Sequence, residues 1–256
     1  MPDDLGDVQP PAPPPRRVVS LVPSLTEAVA SVGAELLVGA TDFCTHPPEL
    51  VADRVGGTKY PDLARVIALR PDLVLANAEE NRREDVDALR SAGIAVWVTY
   101  PRTVPDALDS LGRMFAALHH SAPGWLADAR TVWSAPPSRR YAEWAVIPVW
   151  RRPWVVLGSS TFAGDVLERL GVVNAYAGAA LRYPRPPLAE LQAAGPDLVV
   201  LPDEPYAFGA DDGPESFPGV RCALVSGRHL TWYGPSLVTA RSVLQAALDA
   251  AVPEAR

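Results

Sequence analysis

Lysine is almost missing from this chain: Lys59 is the only one, and every other strongly basic residue is arginine. Acidic residues outnumber basic ones, 30 Asp and Glu against 23 Lys and Arg, for a net charge of −7 and a pI near 5.1. Binding to DNA, RNA or an anionic membrane needs clustered positive charge, so the balance argues against all three as partners. Cysteine is scarce. Cys44 and Cys222 are isolated thiols, which in a reducing compartment read as small buried groups rather than as a disulfide. No apolar run approaches the roughly 20 residues that cross a bilayer. The opening MPDDLGDVQPPAPPPRR has no basic start, no apolar core and no small-residue cleavage site. These absences predict a cytoplasmic location without membrane insertion. The common enzyme signatures are missing too: no G-x-S-x-G elbow, no Walker loop, no G-x-G-x-x-G after a strand, no H-E-x-x-H and no paired C-x-x-C.

What is present is a chain of 256 residues, 48% hydrophobic and 21% charged, enough for one large domain or two small lobes. Proline, 28 of 256, runs at about twice its usual share; with the preference for arginine this fits high-GC codon usage and carries no functional information. Residues 1–15 hold the run Pro10-Pro11-Ala12-Pro13-Pro14-Pro15 and are expected to form a disordered or polyproline arm. From Arg16, apolar strands at 18–22, 36–40, 73–76 and 94–99 alternate with helical patterns near 25–32, 62–69, 82–91 and 104–119. That alternation predicts an α/β fold with a parallel sheet covered on both faces.

A second series follows, with strands at 144–149, 154–157, 198–201 and 222–225 and helices near 163–170, 188–194 and 236–250. Arg70-Pro71-Asp72-Leu73-Val74-Leu75 recurs as Gly195-Pro196-Asp197-Leu198-Val199-Val200, an offset of 125. Thr26-Glu27 leading to Gly33 is echoed by Gly164-Asp165 leading to Gly171 at an offset of 138, each a polar helix start followed by a glycine stop. Two similar lobes are the economical reading, although a common helix-to-strand junction would give the first string as well. The expected division is a lobe at 16–119, a bridging helix and linker at 120–143 with Gly124–Ser134 helical and Pro136-Pro137-Ser138-Arg139-Arg140 as its break, and a lobe at 144–256.

Of the four histidines, the adjacent His119 and His120 end a helical pattern and read as surface residues. His46 and His229 lie one in each lobe and are the candidates for a metal, without a third ligand at recognisable spacing. The stronger pattern is aromatic residues and proline after the strands, where open parallel sheets hold ligands. It includes Phe43, Tyr60-Pro61, Tyr100-Pro101-Arg102, Trp150-Arg151-Arg152-Pro153-Trp154, Tyr183-Pro184-Arg185, Tyr206 to Phe208 and Trp232-Tyr233-Gly234-Pro235. Trp and Tyr offer broad flat contacts with a polar handle, so this density predicts a site for a large, partly apolar ligand, with about half of the rings serving only to close the core.

Several of these residues also carry a resemblance. Val18-Val19-Ser20-Leu21-Val22-Pro23-Ser24-Leu25-Thr26-Glu27, Cys44-Thr45-His46-Pro47-Pro48-Glu49, Val55-Gly56-Gly57, Ile67 to Leu75, Phe162-Ala163-Gly164-Asp165-Val166-Leu167 and Trp232-Tyr233-Gly234-Pro235 resemble the vitamin B12-binding proteins of ABC importers. Those belong to the helical-backbone, class III substrate-binding proteins, which also include haem and iron-siderophore receptors. The resemblance covers about 16–250. It implies two Rossmann-like lobes with parallel sheets, bridged by a helix, with a ligand cleft between them. It further implies a corrinoid or related metal chelate as ligand, no required cofactor and no catalysis.

By position, Tyr60, Trp150, Trp154, Tyr206, Phe208, Trp232 and Tyr233 would meet the broad face of such a ring, and Asn77, Arg102, Arg151 and Arg185 its polar rim. Two departures point away from import. The chain shows no export signal, and where family importers dock through an acidic residue on each lobe, Glu190 is present but Ala64 replaces the first. The expectation is therefore a cytosolic carrier or sensor that hands its ligand to an acceptor protein. The alternatives are an importer receptor working with an ABC transporter, and an enzyme using Asp203, Glu204 and His229 as acid and base.

Overall fold

A run such as Leu73-Val74-Leu75-Ala76 is stable only where both sheet faces are covered. In the computed structural model, which describes residues 2–6, 13–136 and 143–251, such runs form the centres of two parallel sheets. The chain divides into two compact units. Unit one comprises Met1–Pro101, Pro105–Arg130 and Tyr233–Pro235; unit two comprises Arg102–Val104, Thr131–Trp232 and Ser236–Arg256.

Unit one contains β1 (Val18–Ser20), α1 (Pro23–Gly33), β2 (Leu37–Ala40), β3 (Asp53–Arg54), α2 (Leu63–Ala68), β4 (Leu73–Asn77), α3 (Arg83–Ser91) and β5 (Val96–Thr99); α4 (Val104–Ala117) and α5 (Gly124–Ser134) follow. The sheet order is β3-β2-β1-β4-β5 with every pair parallel. All residues of β1, β4 and β5 are buried, as the continuous apolar runs require. Helix starts follow local chemistry: the Asp62 carboxylate accepts from the Arg65 amide at 3.0 Å and begins α2, satisfying one of the donors every helix leaves open.

Unit two contains β6 (Trp144–Val146), β7 (Pro148–Trp150), β8 (Val155–Val156), α6 (Phe162–Arg169), β9 (Val173–Asn174), α7 (Leu188–Ala193), β10 (Leu198–Pro202), β11 (Arg221–Val225), α8 (Gly227–Thr231) and α9 (Leu237–Asp249). Its parallel sheet runs β11-β10-β6-β9, and β7 and β8 form a separate antiparallel pair. The segment 144–149, expected as one strand, is divided at Ile147. Pro148 has no N–H to donate to the parallel ladder, and the chain leaves the sheet there.

The repeat at an offset of 125 reaches into the packing. Helices α2 and α7, and strands β4 and β10, begin and end at equivalent positions. Val66, Val74 and Ala76 lie in the core of unit one, and their counterparts Leu191, Val199 and Leu201 in that of unit two. The acid after each proline pins the neighbouring first strand. Asp72 Oδ2 accepts from the Arg16 and Arg17 amides at 2.8 and 2.9 Å, and Asp197 Oδ2 from the Trp144 amide at 3.2 Å. Just before each proline the backbone is left-handed, at Arg70 (φ 47°) and Gly195 (φ 58°). The other echo is looser: Gly171 has φ 92°, a left-handed helix stop, whereas Gly33 has φ 173° and is simply extended.

Of the segment expected to be a disordered arm, residues 1 and 7–12 lie outside the described residues. Residues 2–6 are held by their carboxylates. Asp4 donates its amide to the Val98 carbonyl, and its side chain accepts from Arg113, the Ser110 hydroxyl and the Tyr100 amide at 2.6, 2.7 and 2.7 Å. The break expected at 136–140 lies outside the described residues from 137 onward. Among the described residues no helix is long and apolar enough to cross a membrane.

Candidate functional site

A parallel sheet collects ligands at the carboxyl ends of its strands, where the strand order reverses. In unit two that position falls between β6 and β10. The β7–β8 hairpin leaves the end of β6, and the loop through residues 203–217 leaves the end of β10. These two segments carry a continuous series of rings. Trp150 meets Tyr206 edge-on at 5.6 Å, Tyr206 lies 4.6 Å from Phe208, Phe208 stacks on Trp154 at 6.0 Å, and Trp154 meets Phe217 edge-on at 5.6 Å. The inner end is core, with Phe217 1% and Phe208 5% exposed, while Trp150 at the outer end is 44% exposed. Gly213 (φ 130°) lets the loop lie on this series: a Cβ there would sit 2.9 Å from Phe208 Cδ1 and 3.1 Å from Leu201 Cδ1.

Polar groups fix the outer end. The Arg151 guanidinium lies over the Trp154 ring at 5.3 Å and is paired with Asp212 and, at 2.5 Å, with Glu215. The other oxygen of Asp212 accepts from the Tyr206 hydroxyl at 2.6 Å. The Tyr206 hydrogen bond, then Arg151, hold the Asp212 carboxyl below its ordinary pKa despite some burial. The same bond to Asp212 pushes the Tyr206 phenol up. For Glu215, burial pushes upward, but the Gly213 amide and Arg151 outweigh it and the carboxyl ends low.

Deeper in unit two, burial first and the charge of Asp203 second push the Glu204 carboxyl up, against the indole of Trp232 and the charge of Arg228. Trp232 is itself buried, 8% exposed, beneath the Arg228 guanidinium at 5.7 Å. His229 hydrogen-bonds Ser226 Oγ through Nδ1 at 2.9 Å.

In unit one the order reverses between β1 and β4, and a closed polar network occupies the end of β4. Asn77 Nδ2 donates to the Tyr233 hydroxyl at 2.6 Å, and Thr99 Oγ1 lies 2.9 Å from the same oxygen. Asn77 Oδ1 accepts from the Glu79 and Glu80 amides at 2.7 and 3.2 Å. Burial pushes the Tyr233 phenol far up, the nearby Glu80 adding to it. Tyr60 is 74% exposed, with the Arg82 guanidinium over its ring at 4.7 Å; Phe43 is also open, 62% exposed. His46 Nδ1 lies 3.0 Å from Thr45 Oγ1. A groove of about 470 Å³ lies near the amino ends of the strands of this unit, lined by Arg17, Leu37, Val38, Val51, Ala52, Asp53 and Leu69. It contains none of the expected ligand residues.

The structure thus brings Trp150, Trp154, Tyr206, Phe208 and Arg151 together in unit two and pairs Asn77 with Tyr233 in unit one. Arg102 and Arg185 are exposed. Phe208 and Tyr233, expected at a ligand, have their rings in the interior. Asp212 and Glu215, in the string Asp211-Asp212-Gly213-Pro214-Glu215, were not singled out by sequence reasoning, because nothing in the string itself points to partners as far away as Arg151. His46 and His229 belong to different units, and no group of three His, Cys, Asp or Glu able to hold a metal ion occurs among the described residues. Cys44 is buried against Thr26 Oγ1 at 3.0 Å, its thiol pushed up by that burial.

No family model matches the chain. Among curated proteins, it is 23% identical over 210 residues to a vitamin B12-binding protein of Vibrio cholerae, covering 77% of this chain and 74% of that one. It is 25% identical over 195 residues to the vitamin B12-binding protein of Photorhabdus laumondii, covering 73% and 70%. Among solved structures, the periplasmic vitamin B12-binding protein of Vibrio cholerae matches with a TM-score of 0.72 at 20% identity, over 92% of this chain and 97% of that one. A periplasmic haem-binding protein from Pseudomonas aeruginosa matches with a TM-score of 0.72 at 23% identity, over 94% and 95%. A Helicobacter pylori protein with bound Ni(II) matches with 0.78 at 14%, over 96% and 87%.

The resemblance read from the motifs and the α/β fold with parallel sheets both hold. The cytoplasmic location does not: it was read from the opening residues, and the similar structures are of periplasmic proteins.

Proposed function

We propose that this chain, whose fold is that of the class III substrate-binding proteins and whose relatives are named vitamin B12-binding proteins, binds a corrinoid or related metal tetrapyrrole without transforming it and presents it to an ABC importer. The observation that carries the reading is the series of rings at the carboxyl ends of β6 and β10, which leads from the core of unit two to the half-exposed indole of Trp150. A flat indole held on a packed base suits a macrocycle, because little side-chain entropy is lost on contact. Tyr60 is an exposed ring of unit one. Arg102 and Arg185 are exposed and suit the amide or carboxylate rim of such a ligand, whereas Arg151 serves by holding the aromatic series.

The test is titration with cyanocobalamin, hydroxocobalamin and haem, following tryptophan fluorescence and ligand absorbance. We expect one-to-one binding of a cobalamin at micromolar concentration or tighter, weakened at least tenfold by Trp150→Ala. Haem-binding structural neighbours favour a second reading, in which haem saturates the protein and the cobalamins do not. Failure of all three to bind overturns the tetrapyrrole reading.

A further inference from the structure

One carboxylate does more in unit two than its place in a surface turn suggests. Asp212 Oδ1 pairs with Arg151, the residue after Trp150, and Asp212 Oδ2 accepts from the hydroxyl of Tyr206, the ring against which Trp150 packs. The carboxylate therefore ties the hairpin to the loop at the two points that define the position of the Trp150 indole.

Asp212 is itself held. Its amide donates to the Gly209 carbonyl at 3.3 Å and its carbonyl accepts from the Gly209 amide at 3.0 Å. Glu215 fixes the other side of the guanidinium while accepting from the Gly213 amide at 2.5 Å, and Ser216 Oγ lies 3.2 Å from Arg151 Nη2. An indole 44% exposed with no such tie would sample several rotamers and lose that freedom on binding, which weakens affinity without removing a contact.

The geometry points to Asp212 as a positioning residue for ligand binding: through Arg151 and Tyr206 it fixes the orientation of Trp150, the exposed end of the aromatic series, before the ligand arrives. This inference rests on the binding reading above for its consequence, but the ordering of Trp150 is a property of the protein alone.

The experiment uses the whole chain labelled with 5-fluorotryptophan, the Trp150 resonance being assigned by its loss in Trp150→Phe. In Asp212→Asn and in Tyr206→Phe that resonance is expected to shift and broaden. In Asp211→Asn, which alters the neighbouring exposed acid, it stays in place. With cyanocobalamin, hydroxocobalamin or haem, whichever binds, Asp212→Asn is expected to weaken affinity about tenfold while the protein stays folded, with a small fall in thermal midpoint from the lost ion pair.

An unchanged Trp150 resonance in Asp212→Asn overturns the inference, whatever the protein binds. So does unchanged affinity in Asp212→Asn when Trp150→Ala abolishes binding, an outcome that leaves the binding reading intact. Loss of the folded spectrum in Asp212→Asn transfers the decision to Tyr206→Phe, which keeps the ring and the ion pair and removes only the hydroxyl: a fixed Trp150 signal there also overturns it.

Discussion

Tyr233 and Trp150 are both aromatic residues near the carboxyl ends of strands, yet their surroundings give them different work. The Tyr233 hydroxyl completes the hydrogen bonding of Asn77 and Thr99 inside unit one, where an unmet polar group costs more than a bond contributes. Replacing it with Phe keeps the ring volume and leaves Asn77 Nδ2 with only Thr99 Oγ1, at 3.4 Å. We expect Tyr233→Phe to lower unfolding free energy by about 1–3 kcal/mol, measured by urea denaturation with an unchanged far-UV spectrum; an unchanged midpoint would refute the structural role. The sequence revealed which residues were aromatic and that they followed strands. It did not reveal which rings were buried, because burial depends on what packs above them. Nor did it reveal Asp212, whose partner Arg151 is 61 residues away.

At the scale of elements, the two junctions at an offset of 125 solve one problem with different residues. Each short helix, α2 or α7, ends in a left-handed residue before the proline and the central strand. Unit two uses Gly195 there and unit one uses Arg70. A residue with a Cβ in that conformation costs about 1–2 kcal/mol relative to glycine, partly offset by the greater freedom glycine gains in the unfolded chain. Arg70→Gly is therefore expected to raise stability by up to about 1 kcal/mol, seen as a higher urea midpoint; a clear fall would contradict the account.

The central strands were legible because continuous apolar runs of four or five residues have few alternatives. The edge strands β3 and β9 were not legible, since two residues define no period. Helix α8, of five residues, was missed for the same reason, and Pro148 marks the division of β6 from β7 only once the sheet around it is seen.

For the molecule as a whole, net charge −7 hides opposing pH responses within unit two. Asp212 and Glu215 have depressed pKa values, so their contribution is present above the ordinary carboxylate range and is lost as pH falls through their folded values. Glu204 behaves in the opposite sense. Its folded pKa lies above the ordinary 4.5, so the unfolded chain releases the proton first, and stability falls as pH rises from that value through the folded one. Glu204→Gln is thus expected to exceed the parent in thermal midpoint at pH 7 and to lose that advantage as pH drops toward 4; an advantage independent of pH would count against the assignment.

The two-unit organisation was visible in the repeated junction, but the ownership of Tyr233–Pro235 by unit one was not, because it joins segments far apart in the chain. That ownership has a genetic corollary. A gene cut after residue 130 or 136 yields an amino-terminal fragment that encodes nearly all of unit one yet leaves Asn77 and Thr99 facing an empty place, one that only a distant tripeptide can fill. Halves of this protein are therefore not interchangeable modules, and dissection by truncation should supply residues 233–235 by permuting the chain or grafting them back.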